Sequence, residues 1–311
     1  SAEAGDNIVI VDFARTWGTN SVELDSNGLN FQGNSDVYEV KYTTNGQSVN
    51  LIYSDATQGW IPLEDDVVAD EPVQPPTQKA IFGYGKTSSD VSLTNLVNSS
   101  GVVAADVTGV GTARNNLAAS SYGGDKAIFG YGRTNTQVSM TNLVNNSGVV
   151  ATDVSGVGTA RQSLAAASYG GDKAIFGYGT DSSLTNLVNN TGVVAADVTG
   201  VGTARYLLAA AGYGGDKAIF GFGTTGSVTG LTNLVSNTGV VAANVSAVGT
   251  ARKGLAAAGY GGDKAIFGYG TTGSLTAITN LVNSSGVVAS DVSGVGTARE
   301  KLAAAGFSYS A

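Results

Sequence analysis

The strongest pattern in the chain is a fivefold repeat of short apolar runs separated by glycine-rich turns. Each copy runs from Lys-Ala-Ile-Phe-Gly through Thr-Asn-Leu-Val, Gly-Val-Val-Ala and Thr-Ala-Arg to Leu-Ala-Ala. The copies are spaced by 47, 47, 44 and 47 residues and begin at Lys79, Lys126, Lys173, Lys217 and Lys264. A period of this length indicates an architecture of equal structural units.

Each copy contains four runs typical of β-strands, and no stretch has the apolar period of a stable helix. In the first copy the runs are Lys79–Tyr84, Ser92–Asn98, Val102–Val107 and Leu117–Tyr122. Four strands in each of five repeats predict an all-β fold with a five-bladed β-propeller over residues 79–311. The small side chains of the Leu-Ala-Ala run suit the innermost strand, where blades converge.

The two ends of the repeat region complement each other. The first copy has no Leu-Ala-Ala run before it, and the last copy leaves one over at Leu302–Phe307. We therefore expect this C-terminal strand to complete the first blade, which would close the ring and remove an exposed sheet edge.

Residues 1–63 have a different pattern, in which apolar and polar positions alternate over short runs. Asn27-Gly28 and Asn45-Gly46 favour hairpin turns between such runs. The pattern predicts a separate β-sandwich or β-roll, with a role in attachment or assembly. Residues 64–78 are acidic and contain proline, which is typical of an extended linker. The alternating runs are Asn7–Phe13, Ser21–Asp25, Val37–Tyr42, Val49–Tyr53 and Trp60–Leu63.

Composition narrows the chemistry that the chain can perform. Among 311 residues there is no Cys and no His, which excludes disulfides, thiol nucleophiles, imidazole catalysis and zinc sites built from these residues. The repeats contain one glutamate, Glu300, and their aspartates recur symmetrically, whereas a reaction centre needs unlike groups that converge. We expect no enzyme activity, no catalytic residue, no metal and no cofactor.

The charge is uneven along the chain. Residues 1–78 carry thirteen acidic and two basic residues, a net charge of −11, while residues 79–311 carry eleven acidic and fourteen basic residues, a net charge of +3. A solvated acidic domain explains this, and so does attraction between the two parts of different copies. Neither part is basic enough to indicate nucleic-acid binding. No apolar run approaches the roughly 20 residues of a membrane span, and residues 1–4 lack the features of a signal peptide.

Two resemblances cover nearly the whole chain. The sequence Thr-Ala-Arg-x-x-Leu-Ala-Ala-Ala-x-Tyr-Gly-Gly-Asp-Lys-Ala-Ile-Phe-Gly-Tyr-Gly resembles a kelch-like propeller repeat and repeats of bacteriophage structural proteins. Its blade count and length are similar to those of five-bladed tachylectin-type lectins. The segments Gly5–Asp12, Val22–Gly28, Val49–Tyr53 and Gly59-Trp60 resemble small β domains of phage tail fibres. These resemblances imply a virion appendage or a self-assembling extracellular fibre, located in the virion or outside the cell.

An arginine and an aspartate recur in every copy or nearly so. The arginine precedes the expected inner strand, where it can pair with an aspartate of its own or of a neighbouring blade. The alternative is a ring of cations at one mouth of the pore. Asn244 replaces the aspartate in the fourth copy, so we expect a weaker partner there. The residues are Arg114, Arg161, Arg205, Arg252, Arg299, Asp106, Asp153, Asp197 and Asp291.

Two tyrosine series offer a carbohydrate-binding hypothesis, because a tyrosine beside glycines presents an accessible ring and a hydroxyl. Packing between blades is the competing interpretation. The candidate glycan residues are Tyr122, Tyr169, Tyr213 and Tyr260. The second series is Tyr84, Tyr131, Tyr178, Phe222 and Tyr269, where Phe222 favours packing.

A fourth set of residues lies in one recurrent turn. Its Asn-x-Ser/Thr sequences are glycosylation acceptors in a secretory pathway, although Asn, Ser and Gly are also ordinary turn formers. The acceptors are Asn98, Asn145, Asn189 and Asn283. The most divergent loops, where binding specificity is expected, are Lys86–Val91, Arg133–Val138 and Thr224–Gly230.

The leading functional hypothesis is a phage appendage or fibre subunit that oligomerises and binds surface glycans through an outward-facing propeller. One alternative is an extracellular filament in which each N-terminal domain docks on the propeller of the next copy. The other is a free five-bladed lectin. Its expected partners are further copies of the chain and host carbohydrate, with no nucleic acid and no membrane insertion.

Overall fold

The computed structural model describes residues 2–35, 40–64 and 79–306. The chain separates into two compact units, Ser1–Lys79 and Ala80–Ala311. The described residues form strands and turns without any helix, so the all-β prediction is confirmed. In particular, this part of the chain has no helix long and apolar enough to cross a membrane.

The N-terminal unit contains two small antiparallel sheets that share one core. The first sheet has the order β1-β4-β5, and β2 pairs with β3 in the second. Alternate residues of β3 and β4, including Tyr42 and Val49, pack with Trp17 and Phe31 in the core. The strands are β1 Asn7–Val11, β2 Val22–Leu24, β3 Val40–Tyr42, β4 Ser48–Tyr53 and β5 Trp60–Glu64. The linker predicted at 64–78 lies outside the described residues beyond Glu64, as does the first part of the run predicted at Val37–Tyr42.

The second unit contains five similar antiparallel sheets. In four of them the Leu-Ala-Ala run forms the first strand, the Lys-Ala-Ile-Phe-Gly run the middle strand and Thr-Asn-Leu-Val the third. Their strands are β8 Ala118–Tyr122, β9 Lys126–Gly130, β10 Thr141–Val144, β11 Ala165–Tyr169, β12 Lys173–Gly177, β13 Thr185–Val188, β14 Ala209–Tyr213, β15 Lys217–Gly221, β16 Thr232–Val235, β17 Ala256–Tyr260, β18 Lys264–Gly268 and β19 Thr279–Val282. The first sheet has only β6 Ala80–Lys86 and β7 Asp90–Val97.

The third run of each repeat, Val102–Val107 in the first, pairs through two separated bridges rather than a continuous strand. In the second repeat these bridges join Val144 to Val150 and Thr141 to Val154. Between them, the side-chain amide of Asn142 donates to the Ala151 carbonyl at 3.0 Å. This side chain occupies the place of a backbone ladder bond, which explains why the predicted strand is interrupted.

Neighbouring repeats pack through their small-residue strands and through a phenylalanine. The strands β8, β11, β14 and β17 lie side by side in chain order. Phe176 packs directly on Gly130 of the preceding repeat, where a β-carbon would lie 2.6 Å from the ring. Phe220 meets Gly177 and Phe267 meets Gly221 at the same distance. The glycine in Ile-Phe-Gly therefore leaves room for the next repeat.

The two ends of the array differ from its interior. The middle strands β9, β12, β15 and β18 each have two hydrogen-bonded neighbours, whereas β6 pairs only with β7 among the described residues. Residues 302–306 of the predicted closing strand are described and form no strand, and Phe307 lies outside the described range. The closed five-bladed ring therefore stays a prediction.

Candidate functional site

The best-ordered polar site of the repeats surrounds the recurrent arginine. Arg114 is completely buried, and its Nε donates to the carbonyl of Tyr131 in the next repeat at 2.9 Å. Nη1 donates to the Thr112 carbonyl at 3.1 Å, and Nη2 donates to Oδ1 of Asn142 at 2.7 Å. The guanidinium also stacks on the ring of Tyr84 at 4.3 Å. A planar cation with five donors suits this mixture of carbonyls and aromatic ring.

An aspartate of the following repeat completes the site. Asp153 accepts the Thr112 hydroxyl at 2.6 Å and the Asn142 amide at 2.9 Å, and it lies 3.9 Å from Nη1 of Arg114. Burial alone would raise the pKa of Asp153, but the hydrogen bonds from Thr112 and Asn142 outweigh it and lower that pKa. We call this set of one Arg and Thr with the Asn, Asp and aromatic carbonyl of the next repeat the arginine node.

A buried arginine of the same kind lies at each junction between consecutive repeats, but its hydrogen bonds vary. Arg161 donates to the asparagine of the next repeat, whereas Arg205 and Arg252 donate to the aromatic carbonyl. Arg161, Arg205 and Arg252 are buried like Arg114, and each stacks on an aromatic ring at 4.2–4.4 Å. Burial lowers the pKa of Arg252 to about 10, so it is charged at neutral pH. The repeated arginines lie inside the junctions, which disagrees with the alternative of a cation ring at a pore mouth. Arg299 alone is exposed.

The fourth copy has the neutral node predicted from the sequence. Asn244 accepts the Thr203 amide at 3.2 Å and donates to the Thr203 hydroxyl at 2.8 Å. These hydrogen bonds replace those of the aspartate, but the buried guanidinium of Arg205 has no carboxylate there.

The second aromatic series has a backbone conformation that sequence reasoning missed. Tyr84, Tyr131, Tyr178, Phe222 and Tyr269 all have φ between 61° and 63°. This left-handed region is costly for a bulky residue, so it needs compensation. In this conformation the amide of Tyr131 donates to the carbonyl of Met140, just before β10, at 2.9 Å, and the Tyr131 ring lies under the guanidinium of Arg161. The Tyr131 hydroxyl donates to the Val157 carbonyl at 3.2 Å, and burial raises its pKa to about 12.

The first tyrosine series does not present open rings. Tyr122, Tyr169 and Tyr213 are only 3–5% exposed, because each ring packs on a glycine turn of the next sheet. Their faces are not accessible to a sugar, which is an argument against the glycan-stacking interpretation and favours packing between blades. Tyr260 differs, with 41% of its surface exposed.

The four predicted glycosylation acceptors lie in exposed turns. Each asparagine uses its side-chain Oδ1 to accept the amides two and four residues later, as in Asn145 with Ser147 at 3.0 Å and Val149 at 2.9 Å. The same bonds occur at Asn98, Asn189 and Asn283. The geometry is that of a turn former.

A polar groove lies between the first and second repeats. It has a volume of about 640 Å³ and is bounded by two of the loops that diverge in sequence. The Asn115 amide donates to Asp90 at 2.6 Å across its floor. A second groove of about 510 Å³ adjoins it at Arg133 and Asn135. The lining residues of the first groove are Lys86, Ser89, Asp90, Asn115, Asn116, Arg133, Thr134 and Asn135. Such a lining can hydrogen-bond a hydroxyl-rich ligand but offers it no aromatic face.

Metal-ligating clusters of three or more His, Cys, Asp or Glu are absent from the part of the chain that the structure describes. No model of a known protein family matches the chain, and no curated protein matches it either.

Proposed function

We propose that the chain is a structural and binding protein rather than an enzyme, built on a closed five-bladed β-propeller. The observation that carries this proposal is the repeated arginine node. In it the buried Arg114 and Asn142 and the partly exposed Asp153 link neighbouring repeats. These groups therefore bind neighbouring repeats to each other, as expected of a structural protein.

The unequal ends of the array support ring closure. The inner-strand residues 168, 212 and 259 follow one another in space. A β-carbon at Gly212 would lie 3.8 Å from the Ser168 carbonyl, and one at Gly259 would lie 3.6 Å from the Gly212 carbonyl. Gly306 continues the series, since a β-carbon there would lie 2.8 Å from the Gly259 carbonyl. We infer that the last run takes the place of the next inner strand beside β6, which pairs only with β7 among the described residues. Pairing them would give the first blade its missing strand.

The proposed biological role is a subunit of a virion appendage or fibre. The N-terminal unit is compact in itself, so it can attach or oligomerise independently of the repeats. The resemblance to phage fibre domains supports this role, and five equal blades suit multivalent contact with a surface. The alternatives are a filament in which the acidic N-terminal domain docks on the propeller of the next copy, and a free lectin.

The solution masses of the full chain and of residues 79–311 test this role, measured by light scattering with electron microscopy of the same samples. A small closed oligomer of the full chain and a monomer of the repeats are expected for an appendage subunit. Open polymers of the full chain would favour the filament instead. Two monomers would contradict assembly and favour the lectin.

Carbohydrate binding has its own supporting observation in the polar groove between repeats one and two. We expect glycan-array binding by the full chain to be weakened in Asn135→Ala, which removes an amide from both grooves. Ser227→Ala, in the corresponding loop of the fourth repeat, is the matched control. Equal binding by both variants would contradict a ligand in this groove.

A further inference from the structure

The five-repeat array leaves half of an arginine node unused at each end. At each junction the earlier repeat has the arginine and threonine, and the later repeat has the aromatic residue, the asparagine and the aspartate, which Asn244 replaces at the third junction. Five repeats in a row make four such junctions. Arg299 and Thr297 of the last repeat, and Tyr84, Asn95 and Asp106 of the first, are the remaining members.

The donor half is already arranged at the last repeat. Arg299 stacks on Tyr269 at 4.0 Å, and its Nη1 donates to the Thr297 carbonyl at 3.0 Å. Arg252 makes the same two contacts within its own repeat, with Phe222 and Thr250. Arg252 also reaches the Tyr269 carbonyl of the next repeat at 2.9 Å, whereas Arg299 contacts no other repeat within the described residues.

The acceptor half is arranged at the first repeat. Asn95 donates to the Ala104 carbonyl at 3.1 Å and to Asp106 at 2.9 Å. Asn142 makes the equivalent bonds to Ala151 and Asp153 at 3.0 and 2.9 Å inside a complete node. Asp106 differs from Asp153 only in lacking the threonine and arginine of a preceding repeat. The two ends are therefore preformed and opposite in charge.

Apolar groups at the two ends match in the same way. Phe82 is 59% exposed, while Phe176, Phe220 and Phe267 are fully buried on a glycine of the preceding repeat. Gly268 of the last repeat is the glycine without such a ring, because a β-carbon there would meet only Thr279 within 4 Å.

A second apolar pair repeats this relation. Leu187 and Tyr169, from one sheet, pack on Gly239 of the next sheet. Their counterparts in the last sheet, Leu281 and Tyr260, are exposed, and Gly101 of the first repeat has nothing within 4 Å of a β-carbon among the described residues.

We propose that the first and last repeats of one chain bind each other through a fifth arginine node. In this closing contact Arg299 donates to the Tyr84 carbonyl and Asn95, and Thr297 donates to Asp106. Phe82 packs on Gly268 as its counterparts do. The occupant is the same chain because its own last repeat has a far higher effective concentration than a second copy. The inference rests on the proposed ring and names the side chains that hold it shut.

Cysteine cross-linking of the full chain tests the closing contact, since the protein has no cysteine of its own. Thr112→Cys with Asp153→Cys is the positive control, because these side chains touch at 2.6 Å between neighbouring repeats. Thr297→Cys with Asp106→Cys is the test pair. We expect both pairs to give an intramolecular disulfide to a similar extent, identified by peptide mapping of the monomer. A test pair that links separate chains, or that stays reduced while the control oxidises, overturns the proposal.

Hydrogen exchange of the full chain supplies a measurement that needs no disulfide. The Thr297 amide should be as protected as the Thr112 amide, which donates to Asp153. Asp106→Ala should raise exchange at residues 294–299 at least tenfold and leave residues 109–114 unchanged. Rapid exchange at Thr297 in the unmodified chain would overturn the fifth node. If the β6 amides are protected all the same, the closed propeller is supported without a fifth arginine node. This outcome therefore separates a failure of the node from a failure of the proposed ring.

Discussion

The fourth repeat offers a test of how the arginine nodes contribute to stability. Arg205 is fully buried, and its node contains Asn244 where Arg161 has Asp197. In the charged node, Nη1 of Arg161 lies 3.5 Å from the carboxylate, which is 26% exposed. Asn244→Asp should reproduce that pair, because the Thr203 hydroxyl can turn to donate to a carboxylate as Thr159 does.

The expected gain follows from the geometry of the charged node. Two unit charges about 4 Å apart attract by about 4 kcal/mol at an effective dielectric constant of about 20. Partial desolvation of the new carboxylate offsets much of this attraction. We expect a net gain of about 1–2 kcal/mol in the free energy of unfolding. For a unit of this size, that gain is a rise of roughly 2–8 °C in Tm.

The pH dependence identifies the charge as the cause. The pKa of Asp197 is lowered in the folded protein: burial opposes this, but hydrogen bonds from Thr159 and Asn186 prevail. A carboxyl whose pKa is lower in the folded protein stabilises the fold at pH values above its unfolded pKa of 3.8. This contribution is lost as the pH falls through the folded pKa. The gain from Asn244→Asp should therefore be full at pH 7 and vanish as the pH falls below 3.8.

Calorimetry and circular dichroism of the full chain measure both effects. Asn135→Asp is the matched control, since it makes the same charge change in an exposed loop. The reciprocal Asp197→Asn should lose a similar free energy at pH 7. A neutral or destabilising Asn244→Asp at pH 7, or a gain that persists at pH 2, would refute this account of the node.

Three further predictions concern other contacts. Phe222→Tyr should add a hydrogen bond to the Val248 carbonyl, by analogy with Tyr178 and Val201, and raise the free energy of unfolding by about 1 kcal/mol in urea titrations; destabilisation would contradict it. Burial raises the folded pKa of Tyr131 to about 12, so its hydroxyl contributes fully to the free energy of unfolding below about pH 10 and loses that contribution between about pH 10 and 12. Tyr131→Phe should therefore reduce the loss of stability at alkaline pH, measured by unfolding across this pH range. Asp12→Ala should destabilise the N-terminal unit alone, because its buried carboxylate accepts the Thr16, Trp17 and Gly46 amides; two calorimetric transitions that both shift would contradict independent units.

Much of the architecture follows from sequence periodicity. The Lys-Ala-Ile-Phe-Gly and Leu-Ala-Ala runs form strands where expected, because they join β-forming or small residues between glycine turns. The third run was harder to foresee. Its Val-Val-Ala-x-Asp-Val pattern looks continuous, but the Asn142 side chain from the facing strand takes one of its backbone acceptors.

The candidate site was only partly visible in the sequence. The sequence suggested an arginine–aspartate pair, and Nη1 of Arg114 lies 3.9 Å from Asp153. The roles of Tyr131 as a carbonyl acceptor and of Asn142 as a bridge depend on the register between repeats. The left-handed φ of Tyr131 could not be foreseen, because such a conformation is unusual for tyrosine. Its signal was the glycine that follows every member of the series. The burial of Tyr122 likewise depends on Gly192 of another repeat.

The most direct test of the closed ring is the free energy of unfolding of Gly268→Ala measured beside Gly177→Ala. A β-carbon at Gly177 would lie 2.6 Å from the Phe220 ring, so this variant should lose about 1–3 kcal/mol through overpacking. If the ring is closed, Phe82 covers Gly268 and Gly268→Ala should lose a similar amount. If Gly177→Ala is destabilised while Gly268→Ala keeps the stability of the unmodified chain, the first and last repeats do not meet and the ring is contradicted.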